Sequence, residues 1–528
     1  MFSIPYSQTG YFSKLMIDYL SQDHRIKSLY HRFPTLENFK LQIEEKQQSF
    51  SVDKRKILVK QLLSQYQSVD FSDLTLQNIQ LLKNENTFTI VTGHQLNLFT
   101  GPLYFLYKII STINLCKELK KQYPEHHFVP VYWMATEDHD FEEINFFNFN
   151  RMKFQWNKEA SGPVGRLSTE GLEAVFEHFK QHLSFGNNAK KLVDLFENAY
   201  LKHDNLADAT RFLANELFGK EGLVILDGDD VELKKMFIPH IKEELLHQSA
   251  IKEVEKTYSL LKNYNIQVNP REINLFYIEN NLRERIVFEE NQYKILNTDL
   301  AFSQQELLNL VDSNPEKFSP NVILRPLYQE VILPNLCYIG GGGELAYWLE
   351  LKEVFKLHKI PFPMLLLRNS VLLTTEKQNN KREKLQLSWE ELFLKTEAFT
   401  QKKTHDLSDN AFDFEQQKAF LKQQFEALKK LTLQTHPSFV GAVNAQETKQ
   451  IKGLENLEKR YFKAERLKNQ EQLDRMLDLK IALFPNNSLQ ERVDNFSTLY
   501  AEFGQKMMDE LLENLHPLEQ NYSIIILN

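Results

Sequence analysis

Short apolar runs and longer amphipathic stretches alternate along the first part of the chain. Four short apolar runs, the first of them rich in β-branched residues, have the length of buried strands: residues 88–92, 128–135, 222–226 and 363–367. Residues 103–119 carry apolar side chains at the three- and four-residue spacing of a helix. Strands that alternate with helices predict an α/β fold with an open parallel sheet, whose ligands lie beyond the carboxyl ends of the strands.

Two long stretches separate these strands, at about residues 151–220 and 231–320. Each has helical patterns of its own, and loops of that length without structure are uncommon in compact domains. We therefore predict one core over residues 1–373 that carries both stretches as insertions.

The pattern changes after Thr374, where Gly and Pro become rare and Lys, Glu, Gln and Leu dominate. Apolar residues follow a helical spacing on both sides of a predicted turn at 436–441: Phe414, Leu421, Phe425 and Leu428, then Leu454, Leu457, Tyr461 and Ala464. Residues 374–484 are thus predicted to form an antiparallel coiled-coil domain that makes a homodimer; the alternative is an amphipathic helix pair packed on the core. Residues 485–528 are predicted to return to the core, and residues 522–527 to add a strand to the sheet.

Charge and composition exclude several classes of protein. The 528 residues include 63 Lys and Arg against 71 Asp and Glu, a net charge of −8, so we expect no nucleic acid and no anionic lipid as a partner. Two cysteines are too few for a disulfide framework or a zinc site of several thiolates. Neither a signal peptide nor a run of the roughly 18 apolar residues of a membrane span is present in the sequence, so we expect a cytoplasmic protein.

The first candidate site follows the first predicted strand. Residues 92–102 form a polar loop between that strand and a helix, where backbone N–H groups and the positive end of the helix dipole suit a phosphate or carboxylate. The loop matches neither the P-loop nor the GxGxxG spacing. Its candidate residues, with the helix that follows, are His94, Gln95, Thr100, Gly101 and Lys108. His94 at a strand end is either a structural hydrogen-bonding group or a catalyst.

The second candidate site is the acidic loop at residues 137–143, directly after the second predicted strand. Five carboxylates and one imidazole in seven residues favour general acid–base chemistry, a divalent-metal site or a clamp for hydroxyls and an amine. A solvated loop with helix-capping carboxylates is the alternative. We predict that Asp138 and His139 face the pocket, and we assign no metal.

The third candidate site lies around a run of four glycines in a chain that has only 17. Its members are an arginine with polar neighbours, the glycines and the start of a helix: Arg325, Tyr328, Gln329, residues 340–343, Glu344 and Trp348. The arginine can fork onto a carboxylate or phosphate. The glycines serve either as a hinge or as an N–H nest for an anion, and the helical pattern after them favours the nest. Arg166, in a tight turn, is a further cation, and Cys337 is predicted to be buried and inert.

Several sequence blocks follow one another along the chain: TGHQLNLFTGPLY at 92–104, WMATEDHDFEEIN at 133–145, GPVGR at 162–166, LDGDD at 226–230, RPLYQE at 325–330, GGGGELAYW at 340–348 and LQER at 489–492. On these blocks the chain resembles, over essentially its full length, the bacillithiol-biosynthesis family whose members are named "putative cysteine ligase". The resemblance implies a Rossmann-type core with connecting-peptide-like insertions and a coiled coil that dimerises. It also implies the last step of bacillithiol synthesis, in which L-cysteine is joined by an amide bond to the amine of glucosaminyl malate.

That reaction needs an activated cysteine carboxylate, a base for the amine, and cations for malate and nucleotide phosphate. The catalytic candidates are Asp138, His139 and His94, with Asp138 or His139 as the base. The predicted substrate-binding residues are Gln95, Thr100, Gly101, Lys108, Asp140, Arg166, Arg325, Tyr328 and Gln329. A nucleotide or another anion is assigned to Gly340, Gly341, Gly342, Gly343, Glu344 and Trp348.

ATP or another adenine nucleotide is the expected co-substrate. Two other classes of function stay open at this point. A nucleotidyltransferase on the same core would hold Mg²⁺ with the acidic loop and release pyrophosphate. A non-catalytic scaffold would use the coiled coil to assemble other enzymes, although the many polar residues at strand ends argue against it.

Overall fold

A computed structural model describes residues 2–67, 69–408, 414–432 and 434–528. Its strands, in chain order, are β1 (Phe2–Pro5), β2 (Thr87–His94), β3 (His127–Met134), β4 (Phe146–Phe149), β5 (Met152–Gln155), β6 (Val224–Asp227), β7 (Leu275–Glu279), β8 (Leu282–Glu289), β9 (Gln292–Ile295), β10 (Ala301–Phe302), β11 (Phe318–Pro320), β12 (Asn335–Gly340), β13 (Met364–Leu367), β14 (Val371–Thr375) and β15 (Asn521–Leu527).

A five-stranded parallel sheet in the order β13-β12-β2-β3-β6 forms the core, which confirms the predicted α/β fold. All eight residues of β2 are buried, because helices cover both faces of such a sheet and its strands become continuous apolar runs. Phe88, Leu119, Phe128 and Ile339 belong to one buried cluster that joins strands to the helix Tyr104–Gln122.

The order of the strands places a crevice at the centre of the sheet. The chain enters at β2, adds β3 and β6 on one side, and then adds β12 and β13 on the other side. The connection after β2 runs toward β3, and the connection after β12 runs the opposite way, toward β13. A crevice therefore opens beyond the carboxyl ends of β2 and β12. The sequence predictions missed β12, which begins with a polar asparagine and ends in the glycine run.

Two insertions decorate this core. Between β3 and β6 the chain forms the β4–β5 hairpin and the helices Leu172–His182, Asn187–Tyr200 and Leu206–Phe218. Between β6 and β12 it forms an antiparallel sheet in the order β10-β9-β8-β7-β11.

The C-terminal strand does not join the parallel sheet, so that prediction is wrong. β15 pairs antiparallel with β1, with Phe2 opposite Ile524, and β14 completes a separate three-stranded sheet. An apolar run shows that a strand is buried, but it does not identify the strand with which it pairs.

The chain divides into two compact units, residues 1–374 with 489–528, and residues 375–488. The α-helices of the first unit are Tyr6–Thr9, Lys14–Leu20, Leu36–Ser49, Val52–Gln65, Asp73–Leu81, Tyr104–Gln122, Phe141–Ile144, Leu172–His182, Asn187–Tyr200, Leu206–Phe218, Val231–Lys235, Ile238–His247, Ser249–Tyr258, Gln304–Ser313, Arg325–Ile332, Gly342–Trp348, Lys352–Leu357, Phe496–Phe503 and Gln505–Asn514. Those of the second are Glu376–Lys384, Trp389–Phe393, Thr396–Asp406, Glu415–Thr432, Ser438–Lys468 and Gln470–Leu483.

In the second unit, Glu415–Thr432 and Ser438–Lys468 form a helical hairpin. Lys418 pairs with Glu458 and Lys429 with Glu447, both at 2.7 Å, so the two helices run antiparallel. The predicted turn at 436–441 is wrong in its second part, because the second helix already begins at Ser438. Residues 409–413 and 433, inside the predicted coiled-coil domain, lie outside the described residues. Within the described part of the chain, no helix is both long enough and apolar enough to cross a membrane.

Candidate active site

A cavity of about 770 Å³ opens at the crevice beyond the parallel strands. Four strand ends supply residues to its wall: His94 ends β2, Asp138 follows β3, Gly341 follows β12 and Arg368 follows β13. The antiparallel sheet of the second insertion closes the opposite side with Phe276, Arg283 and Arg285. The cavity thus lies where ligands bind in open parallel sheets.

Seven cationic side chains line this cavity: Lys108, Arg271, Arg283, Arg285, Arg325, Arg368 and Arg492. Lys108 pairs with Glu344 at 2.6 Å, and Arg368 pairs with Glu491 at 2.8 Å. Arg283 lies 3.9 Å from Asp138. The other four arginines have no carboxylate oxygen within 4.0 Å among the described residues. A cavity with this excess of positive charge is suited to a ligand that carries several anionic groups.

Glu344 organises the glycine corner after β12. Its carboxylate accepts the Gly341 N–H at 2.8 Å and the Tyr338 hydroxyl at 2.7 Å, and it pairs with Lys108. Burial alone would raise the pKa of Glu344, but Lys108, Gly341 and Tyr338 outweigh burial and hold the pKa below its usual value. Glu344 is therefore ionised, and it occupies one N–H of the predicted nest.

The remaining residues of the predicted anion site divide between the cavity and the wall behind it. Gly341, Gly342, Gly343 and Glu344 line the cavity. Gly340 is buried in β12, where an added Cβ would lie 2.9 Å from the Tyr338 ring, and Trp348 stacks on that ring at 4.5 Å. Neither of these two residues belongs to the cavity lining.

Arg325 projects into the cavity from a cage of aromatic rings. The centroids of Trp133, Tyr338 and Trp348 lie 5.7–5.9 Å from its guanidinium carbon. Its Nη1 donates to Gln329 Oε1 at 3.0 Å, whereas its buried Nη2 has no hydrogen-bond partner among the described residues. The rings and Gln329 thus hold the fork in place at the cavity wall, where Tyr347 also interacts with it.

Tyr328 and Gln329 are buried and do not line the cavity. The Tyr328 hydroxyl donates to the Gly228 carbonyl at 2.7 Å, and Gln329 donates to Glu330 at 3.0 Å. In this structure the two residues support the helix that carries Arg325 and do not reach the cavity.

The acidic loop places Asp138 in the cavity and His139 beside it. Asp138 Oδ2 accepts the Gln95 amide at 2.9 Å, and its Oδ1 accepts the His139 backbone N–H at 2.8 Å. His139 does not line the cavity, and its Nδ1 lies 2.6 Å from Arg283 Nη1. Asp140 is exposed at the start of the helix Phe141–Ile144, also outside the lining.

His94 is a buried, neutral member of the cavity wall. Its ring lies 5.3 Å from Tyr104 and 5.1 Å from Phe105. Burial, followed by the positive charges of Lys108 and Arg368, lowers the pKa of His94 well below its ordinary value. Its Nε2 has no hydrogen-bond partner among the described residues, so a neutral imidazole nitrogen is available at the end of β2.

Thr100 and Gly101 shape the turn before the helix and do not line the cavity. Thr100 has φ 70° and Gly101 has φ 61°, and an added Cβ at Gly101 would lie 2.6 Å from Asn97. The Asn495 amide holds this turn by donating to the carbonyls of Phe99 and Gly101 at 2.7 and 2.6 Å.

Arg166 lines a second cavity, of about 940 Å³, beyond β6. Its guanidinium binds Asp229 through two hydrogen bonds of 2.8 and 2.9 Å. Beneath it, the buried Lys234 Nζ lies 2.6 Å from Glu137 and 3.2 Å from Asp229. Burial and, next, the charge of Asp229 raise the pKa of Asp227 to about 6, and Asp227 also accepts the Thr136 hydroxyl. The predicted substrate-binding cation is therefore held by a carboxylate of the protein itself.

Sequence reasoning missed several cavity residues. Arg368 directly follows β13, so the same strand-end argument that selected Asp138 applies to it. Arg283 and Arg285 lie two residues apart on β8 and therefore share one face of a strand. Arg271 lies in an irregular loop, and no periodic signal points to it. Across the described residues, no group of three or more His, Cys, Asp or Glu side chains is placed to hold a metal ion.

Two family descriptions match nearly the whole chain. Residues 1–369 match "Bacillithiol biosynthesis BshC, N-terminal Rossmann-like domain", and residues 371–527 match "Bacillithiol biosynthesis BshC, C-terminal coiled-coil domain". The chain belongs to the bacillithiol biosynthesis BshC family. This confirms the resemblance inferred from the sequence blocks and the presence of a coiled-coil domain.

Curated relatives extend the match over full chain lengths. "Putative cysteine ligase BshC" of Flavobacterium psychrophilum is 61% identical over 99% of this chain and 98% of the relative. Its counterpart in Flavobacterium johnsoniae is 60% identical over 99% of both chains, and that of Bacillus cereus is 29% identical over 97% of both. The name that these members of the BshC family share supports a ligase.

Proposed function

We propose that this protein joins the carboxylate of L-cysteine to the amine of glucosaminyl malate in the last step of bacillithiol biosynthesis. The observation that carries the proposal is the cavity at the centre of the parallel sheet, which Asp138 lines together with four arginines that have no carboxylate oxygen within 4.0 Å among the described residues. Anion-binding groups and a proton acceptor in one cavity are what amide formation between anionic substrates requires.

The negative charge of the substrates is complementary to the positive charge of the cavity lining. Glucosaminyl malate carries two carboxylates, and the protein carries a net charge of −8, so local cations must provide recognition. Arg325 is the strongest candidate for a malate carboxylate, because its guanidinium is held by aromatic rings and its Nη2 is unpaired among the described residues. A planar fork binds a carboxylate through two parallel hydrogen bonds, which Lys cannot do.

The chemical step needs an acceptor for one proton. The amine nitrogen attacks the activated cysteine carbonyl, the C–N bond forms, and the bond to the activating group breaks. The proton lost from the amine passes to a base, for which Asp138 is placed in the cavity. ATP or another adenine nucleotide remains the expected source of activation, and the cationic lining fits its phosphates as well as carboxylates.

A reconstituted reaction tests this proposal. Purified protein is mixed with ATP, cysteine and glucosaminyl malate, each is omitted in turn, and the products are analysed by mass spectrometry. We expect a thiol-bearing conjugate only in the complete mixture. Pyrophosphate release without a conjugate would instead indicate a nucleotidyltransferase, and no turnover under any of these conditions would favour a scaffold.

We also propose that the coiled-coil hairpin makes a homodimer in the cytoplasm. Several apolar side chains of the hairpin are exposed in the single chain, among them Phe420, Leu428, Leu431 and Leu457. A partner that covers them would remove this apolar surface from water. Light scattering should report about twice 62.3 kDa, and Leu428→Lys with Leu457→Lys should shift the mass toward the monomer. Leu357→Lys, at a similarly exposed leucine of the other unit, is the control.

A further inference from the structure

Arg283 reaches the acidic loop of the core from the inserted antiparallel sheet. It lies on β8, and its guanidinium is fixed by three contacts of that insertion. Nε donates to Ser319 Oγ at 3.3 Å, Nη2 donates to the Pro320 carbonyl at 3.4 Å, and the guanidinium carbon lies 3.9 Å from the Phe276 ring centroid. With the side chain only 8% exposed, Nη1 is left facing His139 Nδ1 at 2.6 Å.

The contact between Nη1 and Nδ1 determines where His139 carries its proton. A guanidinium has donors only and stays charged at every ordinary pH, so Nδ1 must accept the hydrogen bond. A neutral imidazole that accepts at Nδ1 carries its hydrogen at Nε2. We propose that Arg283 is a positioning residue that holds His139 neutral with its proton on Nε2, and so leaves Asp138 as the base of the acidic loop.

The charged groups around His139 have opposite effects on its protonation. The charges of Arg283 and Glu284 act on it from β8, and those of Asp138 and Asp140 act from its own loop, with Asp138 Oδ1 3.7 Å from Nδ1. Partial burial of the ring, followed by the positive charge of Arg283, lowers the pKa of His139. The three carboxylates act in the opposite direction but do not outweigh these two causes. Without Arg283 the carboxylates would favour the protonated imidazole.

The consequence for catalysis follows from the position of Asp138. A protonated His139 would pair with the Asp138 carboxylate and weaken it as a proton acceptor. With His139 held neutral, Asp138 accepts hydrogen bonds from two neutral groups, the Gln95 amide and the His139 N–H, and the Arg283 charge stays 3.9 Å away, beyond hydrogen-bond distance. The assignment of Asp138 as base rests on the proposed ligase function, whereas the protonation state of His139 does not.

Hydrogen exchange at the imidazole Cε1, followed by mass spectrometry over a pH series, measures the pKa of each histidine without substrates. Arg283→Met removes the charge and the donor but keeps an unbranched side chain. We expect the pKa of His139 to rise by about one pH unit or more in this variant. Arg283→Lys, which retains a charged donor, should remain close to wild type. Arg285→Met, two residues along the same strand face, should leave the value unchanged.

Two further measurements complete the test. In the wild-type protein, ¹⁵N-histidine spectra should show His139 as the Nε2–H tautomer, with His139→Gln used to assign its signal. In the ligase assay, the acid side of the pH profile should move to higher pH in Arg283→Met and not in Arg285→Met.

An Nδ1–H tautomer, an ordinary His139 pKa in the wild type, or equal shifts in the Met variants at 283 and 285 would overturn the proposal. If the exchange and spectral results hold but no conjugate forms with the wild-type enzyme, the proposed function fails while the positioning of His139 stands.

Discussion

The two cavities beyond the parallel sheet differ in how their charges are balanced. They share Thr136, and both lie at carboxyl ends of neighbouring strands. In the first cavity four arginines lack a carboxylate within 4.0 Å among the described residues. At the second, Arg166 is paired with Asp229, and the buried Lys234 beneath it links Asp229 to Glu137, which lines the first cavity. A position at the end of a strand is therefore not enough to make a ligand site. The site also needs cationic side chains that no carboxylate of the protein neutralises.

The physical reason is the free energy of burying a charge. A cation taken out of water without a partner is unfavourable, and an anionic ligand can supply the missing partner. A cation already paired with buried carboxylates mainly holds the chain together, and removing it leaves those carboxylates unpaired. Substitutions in the first cavity should hence change turnover or substrate affinity, and those at the second should change stability.

The largest effect is expected at Lys234, the buried cation under the second cavity. Lys234→Met leaves Glu137 and Asp229 without their shared partner and should lower the free energy of unfolding by about 3–5 kcal/mol. Chemical denaturation measures this loss. Lys235→Met, at the exposed neighbouring lysine, is the matched control and should change stability little. A Lys234→Met protein as stable as the control would remove the distinction between the two cavities.

The next largest effect is expected at Asp138, in the first cavity. Asp138→Asn keeps the size of the side chain but removes the proton acceptor, and it should lower turnover about a hundredfold or more. Stability should barely change, since the loop lies at a strand end outside the core. Glu142→Gln, at an exposed carboxylate of the same loop, is the control. If turnover and melting temperature fell together, Asp138 would have to be assigned a structural role.

A smaller effect on affinity is expected at Arg325. Arg325→Lys keeps the charge but removes the fork, and the loss of a charge-assisted contact of about 1.5–3 kcal/mol should raise the KM for glucosaminyl malate ten- to a hundredfold. The KM for cysteine should change much less. Steady-state kinetics with each substrate varied in turn separates the two. A normal KM for the malyl sugar with a raised KM for ATP or cysteine would assign a different ligand to this arginine.

The smallest effect is expected at Asp227, whose pKa is raised from its usual 3.8 to about 6. Between these values the folded protein binds more protons than the unfolded chain, so this group lowers stability as the pH rises through that window. Asp227→Asn keeps an Oδ1 acceptor for the Thr136 hydroxyl and the Asp229 N–H. It should stabilise the protein by about 1–3 kcal/mol at pH 8 and by nothing near pH 3.5. Denaturation at both pH values is the measurement, and an equal gain at both would contradict the assignment.

The strands were predictable from the sequence because buried parallel strands appear as continuous apolar runs, as β2, β3 and β13 do. β12 was not, since its polar first residue and terminal glycine resemble a loop. Polar residues after two of these runs, Gln95 and Asp138, were also predictable as members of one site, because parallel strands end at one edge of a sheet. Glu344 was selected only through the glycine run before it.

Only the tertiary structure decided which charges meet. Arg166 and Arg325 are both isolated cations in the sequence, yet the first is paired with Asp229, and the second lines a cavity with no carboxylate oxygen within 4.0 Å among the described residues. Arg283 contacts His139 across 144 residues of chain. Periodicity and strand-end position are local properties that a sequence displays directly. The pairing of distant charges depends on how an insertion folds back over the core, and no local pattern encodes that contact.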